Sequence, residues 1–404
     1  MRRPLTSRER EIVDLAGGLA DRFTARAGTY DRENRFPVEN YVDLKESGYL
    51  RLSVPEEFGG FGASLHEIML AQERLAMGDP GTALAVNMHV VPIGQWAGIW
   101  RINHNPAIAA VLAKAGSGEL VWAGFTSERG VANTIMDANT KAEKVDGGYR
   151  ITGYKTFCTN IAVATDFTIT ARLDGDAGDA ELLILHATRD APGFQPTGTW
   201  DTLGMRATQS IDLEIDSVFV PDEALIHRQP IGHLNEVIGR TILSWGVSSF
   251  GAVYSGIAVA AFEWAKDMVI RQGRERDPLI QALFAEMDVL IETGRAVLWR
   301  HAQEVADGLI YEQLTVQEVI ARASLAKLVP VNNTISVMQK VIDAVGGPTL
   351  SRSLPFERLW RDAQAGPVMP FNNLAAAKLI GATAFGIEIA PISPNMSSHD
   401  APTD

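Results

Sequence analysis

The chain has 404 residues, of which 46% are hydrophobic and 21% are charged, and its formal net charge at pH 7 is −13. The length allows two or three domains that share packing, and the composition is typical of a soluble globular protein. The acidic balance disfavours nucleic acid or an anionic membrane surface as the main partner.

Two features indicate a reducing compartment. Cys158 is the only cysteine, so no intrachain disulfide can form. The N-terminal sequence MRRPLTSREREIVDL has basic residues but no apolar run behind them, which differs from a secretion signal. We therefore expect a cytoplasmic protein.

The first part of the chain, from Ser7 to about Ala115, predicts a helical domain that we assign to 1–120. Thr6 and Glu9 have the spacing of a capping box, and apolar residues then recur at helical spacing. The sequence VPEEFGGFG interrupts this pattern as a loop, and SLHEIMLAQERLAM resumes it.

From Val121 the pattern changes to short alternating and β-branched runs, namely YRITGYKTF, DFTITARL, AELLILHA and IDLEIDSVFV. Gly, Asp and Pro separate these runs, which predicts an antiparallel β domain over 121–232. The chain has no GxGxxG sequence, and this region lacks the strand–helix alternation of a Rossmann domain.

Helical patterns return at about His233 and predict a helical bundle over 233–390, followed by a flexible tail over 391–404. The most apolar stretch, about 242–264, contains Gly, Ser and Glu263, which favours a helix buried in a bundle over a membrane span. Pro330 indicates a kink or a boundary in the later helical pattern. The predicted fold class is α+β, in the order α, β, α.

Four segments match motifs of one protein family. They are VWAGFTSERGVAN (121–133), ITGYKTFCTN (151–160), TWDTLGMRATQSIDLEIDSVFVP (199–221) and VIDAVGGPTLSRSLPFERLWRDAQAG (341–366). With the order of the domains, they resemble the acyl-CoA dehydrogenase superfamily of flavoproteins over nearly the whole chain. The resemblance implies a C-terminal four-helix bundle, FAD held between the bundle and the β domain, and a homotetramer in which neighbouring subunits share the cofactor.

The first two segments imply most of the contacts with the flavin ring. The residues that would line the pyrimidine side of the ring are Phe125, Thr126 and Ser127. Asn133 would take the place of a phosphate-binding serine. Phe157 would pack against the ring, and the Thr159 hydroxyl would bond near N5, the atom that receives hydride.

The other two segments imply contacts with the substrate and with the outer half of the cofactor. Arg206 and Thr208 would approach the substrate and the flavin. Gly346 and Gly347 would let the backbone approach the dinucleotide of a neighbouring FAD, because glycine has no side chain in the way.

The phosphate end of the cofactor site departs from the family pattern. Asp343 stands where the family has glutamine, and an acid beside a pyrophosphate is unfavourable. The segment IRQGRERDP is shorter than the family's Arg-x-x-Phe-Gly region, with Arg271 or Arg274 as the substitute for its arginine. A weakened adenosine site is compatible with FMN, or with reduced flavin from a partner reductase.

The carboxylate that acts as a base in many family members is missing from both of its usual positions. One position lies eight residues beyond Asp362 and is occupied by Pro370. The other precedes the arginine that corresponds to Arg240 and is occupied by Gly239. The remaining candidates for a general base are Glu236, Glu128 and His89.

The resemblance also predicts which residues face the substrate. Pro370 and Phe371 would stand where the glutamate stands in an ordinary dehydrogenase, restricting the loop and adding apolar bulk. The complete predicted set of substrate-facing residues is His89, Arg206, Thr208, Arg240, Pro370 and Phe371. The sequence predicts no metal site.

Three functions remain open. The leading hypothesis is FAD-dependent α,β-dehydrogenation of an acyl thioester, carried by CoA or a carrier protein, with electrons passed to an acceptor protein. The alternative is a monooxygenase that uses O2 and reduced flavin from a reductase on a small-molecule substrate. It needs no α-proton base, and the segment at Trp200 favours it. The third is a catalytically silent acyl-carrier-binding protein, against which the preserved flavin-facing residues argue.

Overall fold

The computed structural model describes residues 4–131, 133–175 and 179–389, and its N-terminal region is helical. The helices are α1 (Ser7–Glu33), α2 (Val38–Glu46), α3 (Leu65–Ala76), α4 (Pro80–Asn103) and α5 (Pro106–Gly116). The predicted capping box is present: the Glu9 amide donates to Thr6 Oγ1 over 3.2 Å, and Glu9 Oε2 accepts from the Thr6 amide over 2.8 Å. Both bonds satisfy amides that lack a partner inside the helix.

The middle region forms a sheet. Its strands are β1 (Trp122–Phe125), β2 (Lys141–Val145), β3 (Gly148–Lys155), β4 (Asp166–Asp174), β5 (Ala180–Thr188), β6 (Phe194–Thr197), β7 (Asp212–Pro221) and β8 (Leu225–Pro230). The strand order is β6-β7-β3-β2-β4-β5-β8, and β1 pairs with β4. Most pairs are antiparallel, as predicted, but β1 and β2 both run parallel to β4. Alternation along a strand shows which face is buried but not which strand lies beside it, so the sequence did not predict these two pairs.

Helices return after the sheet and form a bundle. They are α6 (Glu236–Arg271), α7 (Pro278–Ala306), α8 (Leu309–Glu312), α9 (Val316–Val345), α10 (Phe356–Ala363) and α11 (Asn373–Ala384). Among the described helices, α6 is the one that is long and apolar enough to cross a membrane, but 83% of its most apolar window is buried inside the protein. Its composition is therefore explained by a central position in the bundle. The structure confirms the predicted α+β fold.

Pro330 does not mark a boundary, because α9 continues through it from Val316 to Val345. The ring is buried, and Thr334 Oγ1 donates to the Pro330 carbonyl over 2.8 Å. Packing of α9 between α6 and α7 compensates for the hydrogen bond that proline cannot donate. The predicted flexible tail, 391–404, lies outside the described residues.

The N-terminal helices and the bundle share one apolar core. Phe23 and Leu44 from the first helices belong to the same buried cluster as Ile257 and Val331 from the bundle. The sheet has a separate core. Polar contacts tie its loops to the helices, and they include the bond from the Met205 amide to Asp362 Oδ1 at 2.6 Å. The predicted flavin-contacting segments belong to these loops.

We predict that Gly256→Ala weakens the contact between α6 and α3. A Cβ at position 256 would lie 2.3 Å from the Glu73 carbonyl oxygen, which belongs to a helix backbone and cannot move alone. The free energy of unfolding should fall by about 1–3 kcal/mol in urea denaturation. Gly18→Ala is the matched control, because its Cβ meets nothing within 4 Å and should stabilise α1 by about 0.5–1 kcal/mol. Equal effects of the two substitutions would contradict this packing.

Candidate functional site

Three of the four motif segments meet at one place in the fold. The Thr156 amide donates to the Ser127 carbonyl over 2.9 Å, which joins the loop after β1 to the loop after β3. The Cys158 amide donates to the Ile211 carbonyl over 2.9 Å, which joins the loop after β3 to the start of β7. The structure therefore brings together the segments around Ser127, Phe157 and Thr208.

An exposed aromatic side chain marks this place. Phe157 is 64% exposed, and its φ of 55° lies in the left-handed region that residues with a Cβ seldom occupy. The Trp200 ring meets it edge-on with centroids 6.0 Å apart. A large apolar face held in solvent, on a strained backbone, is typical of a binding surface. Its shape suits a flat aromatic ligand.

Three hydroxyl groups run inward from this surface. Thr159 Oγ1 lies 2.7 Å from Ser210 Oγ, and Ser210 Oγ lies 2.9 Å from Thr208 Oγ1. Thr208 Oγ1 then donates to the Met205 carbonyl over 2.9 Å. The chain joins two predicted site residues, Thr159 and Thr208, through Ser210, which the sequence analysis missed. The polar run ATQS, which contains the predicted Thr208, was the available signal.

The inner end of this chain is held by a buried carboxylate, Asp362, which accepts from the Met205 amide over 2.6 Å. Burial raises the pKa of Asp362 to about 7, against the lowering effect of the Arg358 guanidinium, whose Nη1 lies 3.6 Å from Asp362 Oδ2. Asp362 is enclosed and already bonded, so its role is to position residues 205–210. This role was not predicted from the sequence, where Asp362 only marked the position eight residues before Pro370.

His89 does not reach a substrate site. It is fully buried, with Nε2 donating to the Leu50 carbonyl over 2.7 Å and Nδ1 accepting from the Trp122 amide over 2.8 Å. Burial lowers the pKa of His89 to about 4, so the ring is neutral near pH 7. Nε2 thus joins α4 to the turn at Leu50, and Nδ1 joins α4 to β1. The geometry therefore corrects the prediction of a base or substrate contact at this position.

The two acidic candidates for a base are also placed elsewhere. Glu128 forms a buried ion pair with Lys155 and accepts from the amides of Asn139 and Thr140 over 2.5 and 3.2 Å. Because a buried carboxylate needs such partners, its role is to hold the loop after β1. Glu236 begins α6 with 76% of its side chain exposed. Neither position favours proton abstraction from a bound substrate.

Two predicted substrate arginines join parts of the protein instead. Arg206 Nε donates to the Asp31 carbonyl over 3.0 Å and Nη1 to the Thr202 carbonyl over 3.1 Å. This docks its loop on the end of α1. Arg240 Nη1 donates to the Ile310 carbonyl over 2.7 Å and so supports the turn around α8. Guanidinium groups commonly satisfy free carbonyls at helix ends, and the resemblance did not distinguish this use from ligand binding.

The remaining residues of the first motif divide by their burial. Phe125 is buried in the sheet core with its ring centroid 4.6 Å from that of Phe167, so only its backbone is available to a ligand. Thr126 and Ser127 are half-buried, and Thr126 Oγ1 accepts from Thr134 Oγ1 over 3.3 Å. Asn133 Oδ1 accepts from the Ile135 amide over 3.3 Å, which shapes a turn in the same loop.

The predicted phosphate-binding groups meet at one end of the bundle. Arg274 Nη1 donates to the Ala344 carbonyl over 3.0 Å, next to the exposed pair Gly346 and Gly347. Gly346 has a φ of 74°, and a Cβ at either glycine would meet nothing within 4 Å. Arg271 is exposed nearby at the end of α6. The structure thus brings the glycine loop together with the basic segment, on an open surface.

The segment that replaces the missing glutamate is anchored by a buried cation. Pro370 is exposed, whereas Phe371 is buried among apolar residues of α6 and α9 such as Leu243 and Ile320. Lys327 Nζ donates to the Phe371 carbonyl and to Asn373 Oδ1, both over 3.0 Å. Burial lowers the pKa of Lys327 to about 8. The sequence analysis missed Lys327, for which a lysine amid the apolar run ASLAKLVPV was the signal.

Family models match most of the chain. The acyl-CoA dehydrogenase N-terminal domain matches residues 6–101, the middle domain 124–218 and the C-terminal domain 248–372. This chain belongs to the acyl-CoA dehydrogenase family. Members of this superfamily are flavin-dependent oxidoreductases, and the residues around Phe157, Thr159 and the glycine loop fit a flavin, since they combine an apolar face, a hydroxyl and open backbone.

Relatives with different names match the chain at similar levels. It is 29% identical over 385 residues to a putative acyl-CoA dehydrogenase, YdbM, of Bacillus subtilis, covering 93% of this chain and 97% of the relative. It is 28% identical to L-evernosamine nitrososynthase of a Micromonospora species, covering 96% and 93%. A crystal structure of nitrososynthase from Micromonospora carbonacea var. africana superposes with a TM-score of 0.86 at 27% identity, covering 96% of this chain and 99% of that one.

We predict that His89 makes stability fall in mild acid. Its pKa of about 4 in the folded protein lies below the ordinary 6.5, so the unfolded chain binds more protons between these values. The free energy of unfolding should therefore fall as the pH is lowered from about 6.5 to about 4. His89→Gln, which cannot ionise, should flatten this dependence in denaturation curves measured at several pH values.

Comparing the wild-type protein with His89→Gln reports on His89 alone. Burial also lowers the pKa values of His227 and His301, but both residues are present in both proteins. An unchanged slope in His89→Gln would contradict the neutral, buried state of this ring.

Proposed function

We propose that this family member is a flavin-dependent monooxygenase that oxygenates a nucleophilic small molecule with O2. The observation that supports it most is the position of the predicted bases. Glu128 is paired with Lys155, His89 is buried with both nitrogens bonded, and Glu236 is exposed. Pro370 stands where the family glutamate is expected. Removing an α-proton requires a positioned base, whereas flavin-dependent oxygenation does not.

The residues of the site suit this chemistry. When bound, reduced flavin supplies the electrons that activate O2. Phe157 and Trp200 offer it an apolar face, and Thr159 offers a hydroxyl at its edge. Phe371 packs in an apolar cluster with Leu243 and Ile320, and we propose that this cluster keeps water away from the substrate. A dry pocket is needed because water diverts activated oxygen into hydrogen peroxide.

We infer amines, and amino sugars first, as the substrate class to test. Relatives named L-evernosamine nitrososynthase and amino sugar nitrososynthase DnmZ align over 96% and 95% of this chain. In N-oxygenation one oxygen atom joins the substrate nitrogen and the other leaves as water. Reduced flavin provides the two electrons and two protons that balance the reaction and is itself oxidised.

Dehydrogenation of an acyl thioester is the second candidate. The curated relative named a putative acyl-CoA dehydrogenase matches at 29% identity, as high as the nitrososynthases. This reaction would transfer hydride to oxidised FAD and the electrons onward to an acceptor protein. It would need a base other than the three residues that the sequence indicated.

The test runs both reactions on the same protein. We expect O2 consumption and a product heavier by one oxygen atom when reduced FMN or FAD, from a separate reductase, is mixed with amino sugars. We expect no bleaching of oxidised flavin when acyl-CoA thioesters are added without O2. Thioester-dependent bleaching would favour the dehydrogenase, and failure to bind any flavin would favour a silent protein.

Glu236→Gln is the control for the test of function, because Glu236 is exposed at the start of α6. Activity should persist in this variant. A loss of activity in this variant would indicate that Glu236 takes part in catalysis.

We also propose a homotetramer, in which the surface at Gly346 and Gly347 faces a neighbouring subunit. Leu350 is 81% exposed beside this loop, and Ile270 is exposed at the end of α6. Apolar groups and a basic segment on one open surface suit a second copy and the outer half of its cofactor. Sedimentation at micromolar concentration should give a tetramer, and a monomer would contradict this assembly.

If the glycine loop holds adenosine, FAD should bind more tightly than FMN to that tetramer. Equal affinities would favour FMN, or reduced flavin of either kind, as the physiological cofactor.

A further inference from the structure

In the chain of hydrogen bonds from Thr159 to the Met205 carbonyl, each hydroxyl has a single hydrogen to donate. This limit determines which group donates and which accepts in every bond of the chain. The Met205 carbonyl can only accept, so Thr208 must donate its single hydroxyl hydrogen to it, over 2.9 Å. Thr208 therefore has only lone pairs for Ser210, and Ser210 must donate to it over 2.9 Å. Ser210 in turn has only lone pairs for Thr159, which lies 2.7 Å away. Thr159 must donate inward.

The last member of the chain consequently has no hydrogen left to offer outward. Thr159 is half-buried, and its oxygen keeps a lone pair for a ligand on the open side. A hydroxyl usually rotates to donate or accept as its partner requires. Here three consecutive bonds oppose that rotation, so Thr159 presents an acceptor.

The inner end of the chain is fixed by several contacts at once. The Met205 carbonyl also accepts from Trp200 Nε1 over 3.2 Å and from the Thr208 amide over 3.1 Å. The Met205 amide is held by Asp362 Oδ1 at 2.6 Å. The peptide that sets the direction therefore cannot turn over without breaking bonds to Trp200 and Asp362.

We infer that this chain makes the site selective for reduced flavin over oxidised flavin, with Ser210 and Thr208 as positioning residues. The inference rests on the proposed placement of the flavin edge at Thr159. Reduced flavin carries a hydrogen on N5 and can donate to the Thr159 lone pair. Oxidised flavin has a lone pair at N5, which would face another lone pair unless the Thr159 hydroxyl turned outward and gave up its bond to Ser210.

This selectivity fits an enzyme that takes up reduced flavin from solution and releases it oxidised. A dehydrogenase begins its cycle with oxidised flavin, so a measured preference for reduced flavin would favour the monooxygenase over the second candidate function. One hydrogen bond gained or lost corresponds to a change in affinity of up to about tenfold.

The test measures the dissociation constants of oxidised and reduced FMN, the latter without O2, and the reduction potential of the bound flavin. In Ser210→Ala the acceptor for Thr159 is gone, so its hydroxyl can turn outward and donate. The preference for reduced FMN should fall by about tenfold, which lowers the potential by about 30 mV for a two-electron couple. Ser210→Thr keeps a hydroxyl in place and should restore the wild-type ratio.

Ser53→Ala is the matched control, because Ser53 is a buried serine that donates to the Val90 carbonyl over 2.6 Å, outside this chain. It should leave the ratio unchanged. Thr208→Val interrupts the chain one step further in and should lower the preference as Ser210→Ala does. It serves as the second variant if Ser210→Ala does not fold.

The outcomes separate this inference from the proposed function. If wild-type protein binds no flavin, the proposed site is wrong, and this inference is wrong with it. If wild-type protein binds flavin but Ser210→Ala and Thr208→Val keep its ratio and potential, the inference is wrong while the flavin site stands. A ratio that shifts equally in Ser53→Ala would also overturn it, because the change would then be a general effect on stability.

Discussion

The buried hydrogen bond from the Met205 amide to Asp362 helps to join the two halves of the site. Asp362 belongs to α10 of the bundle and Met205 to the loop before β7, so the bond crosses from the bundle to the β domain. A buried carboxylate is stable only with such a partner, which makes the contact specific to one arrangement of the loop. This bond fixes the Met205 peptide, whose carbonyl accepts hydrogen bonds from Trp200 and Thr208. The arrangement of Thr208 and Ser210, and the direction of their hydrogen bonds, therefore depend on it.

The same need for partners explains why charged residues of the motifs do not face the substrate. Glu128, Arg206 and Arg240 are residues of the kinds that often act in catalysis or ligand binding. Each of them instead has an ion-pair or hydrogen-bond partner within the protein. His89 is a similar case, since an imidazole can bridge a carbonyl and an amide when it is neutral. The sequence does not show the spatial neighbours of a charged residue, so it does not distinguish a charge that holds the fold together from one that acts in catalysis.

Position 370 carries proline where the resemblance predicts a glutamate, and the chain still has the acyl-CoA dehydrogenase fold. Pro370 is exposed, and the next residue, Phe371, is buried in an apolar cluster of the bundle. Lys327 then fixes the segment through the Phe371 carbonyl and Asn373. The proposed oxygenation is sensitive to water and so requires apolar surroundings of this kind, and the outward-facing acceptor that we infer for Thr159 favours a cofactor that arrives reduced.

The sequence by itself determined the α, β, α order and the capping box at Thr6, because periodicity and short motifs are local properties. It also indicated the absence of a base at its usual positions, since Pro370 and Gly239 have no acidic group. Only the tertiary structure decided which strands pair in parallel and which charged residues are already satisfied. Only the tertiary structure placed Ser210 between Thr159 and Thr208, because Thr159 is 51 residues away from Ser210 in the chain. The direction of these hydrogen bonds depends on the same contacts.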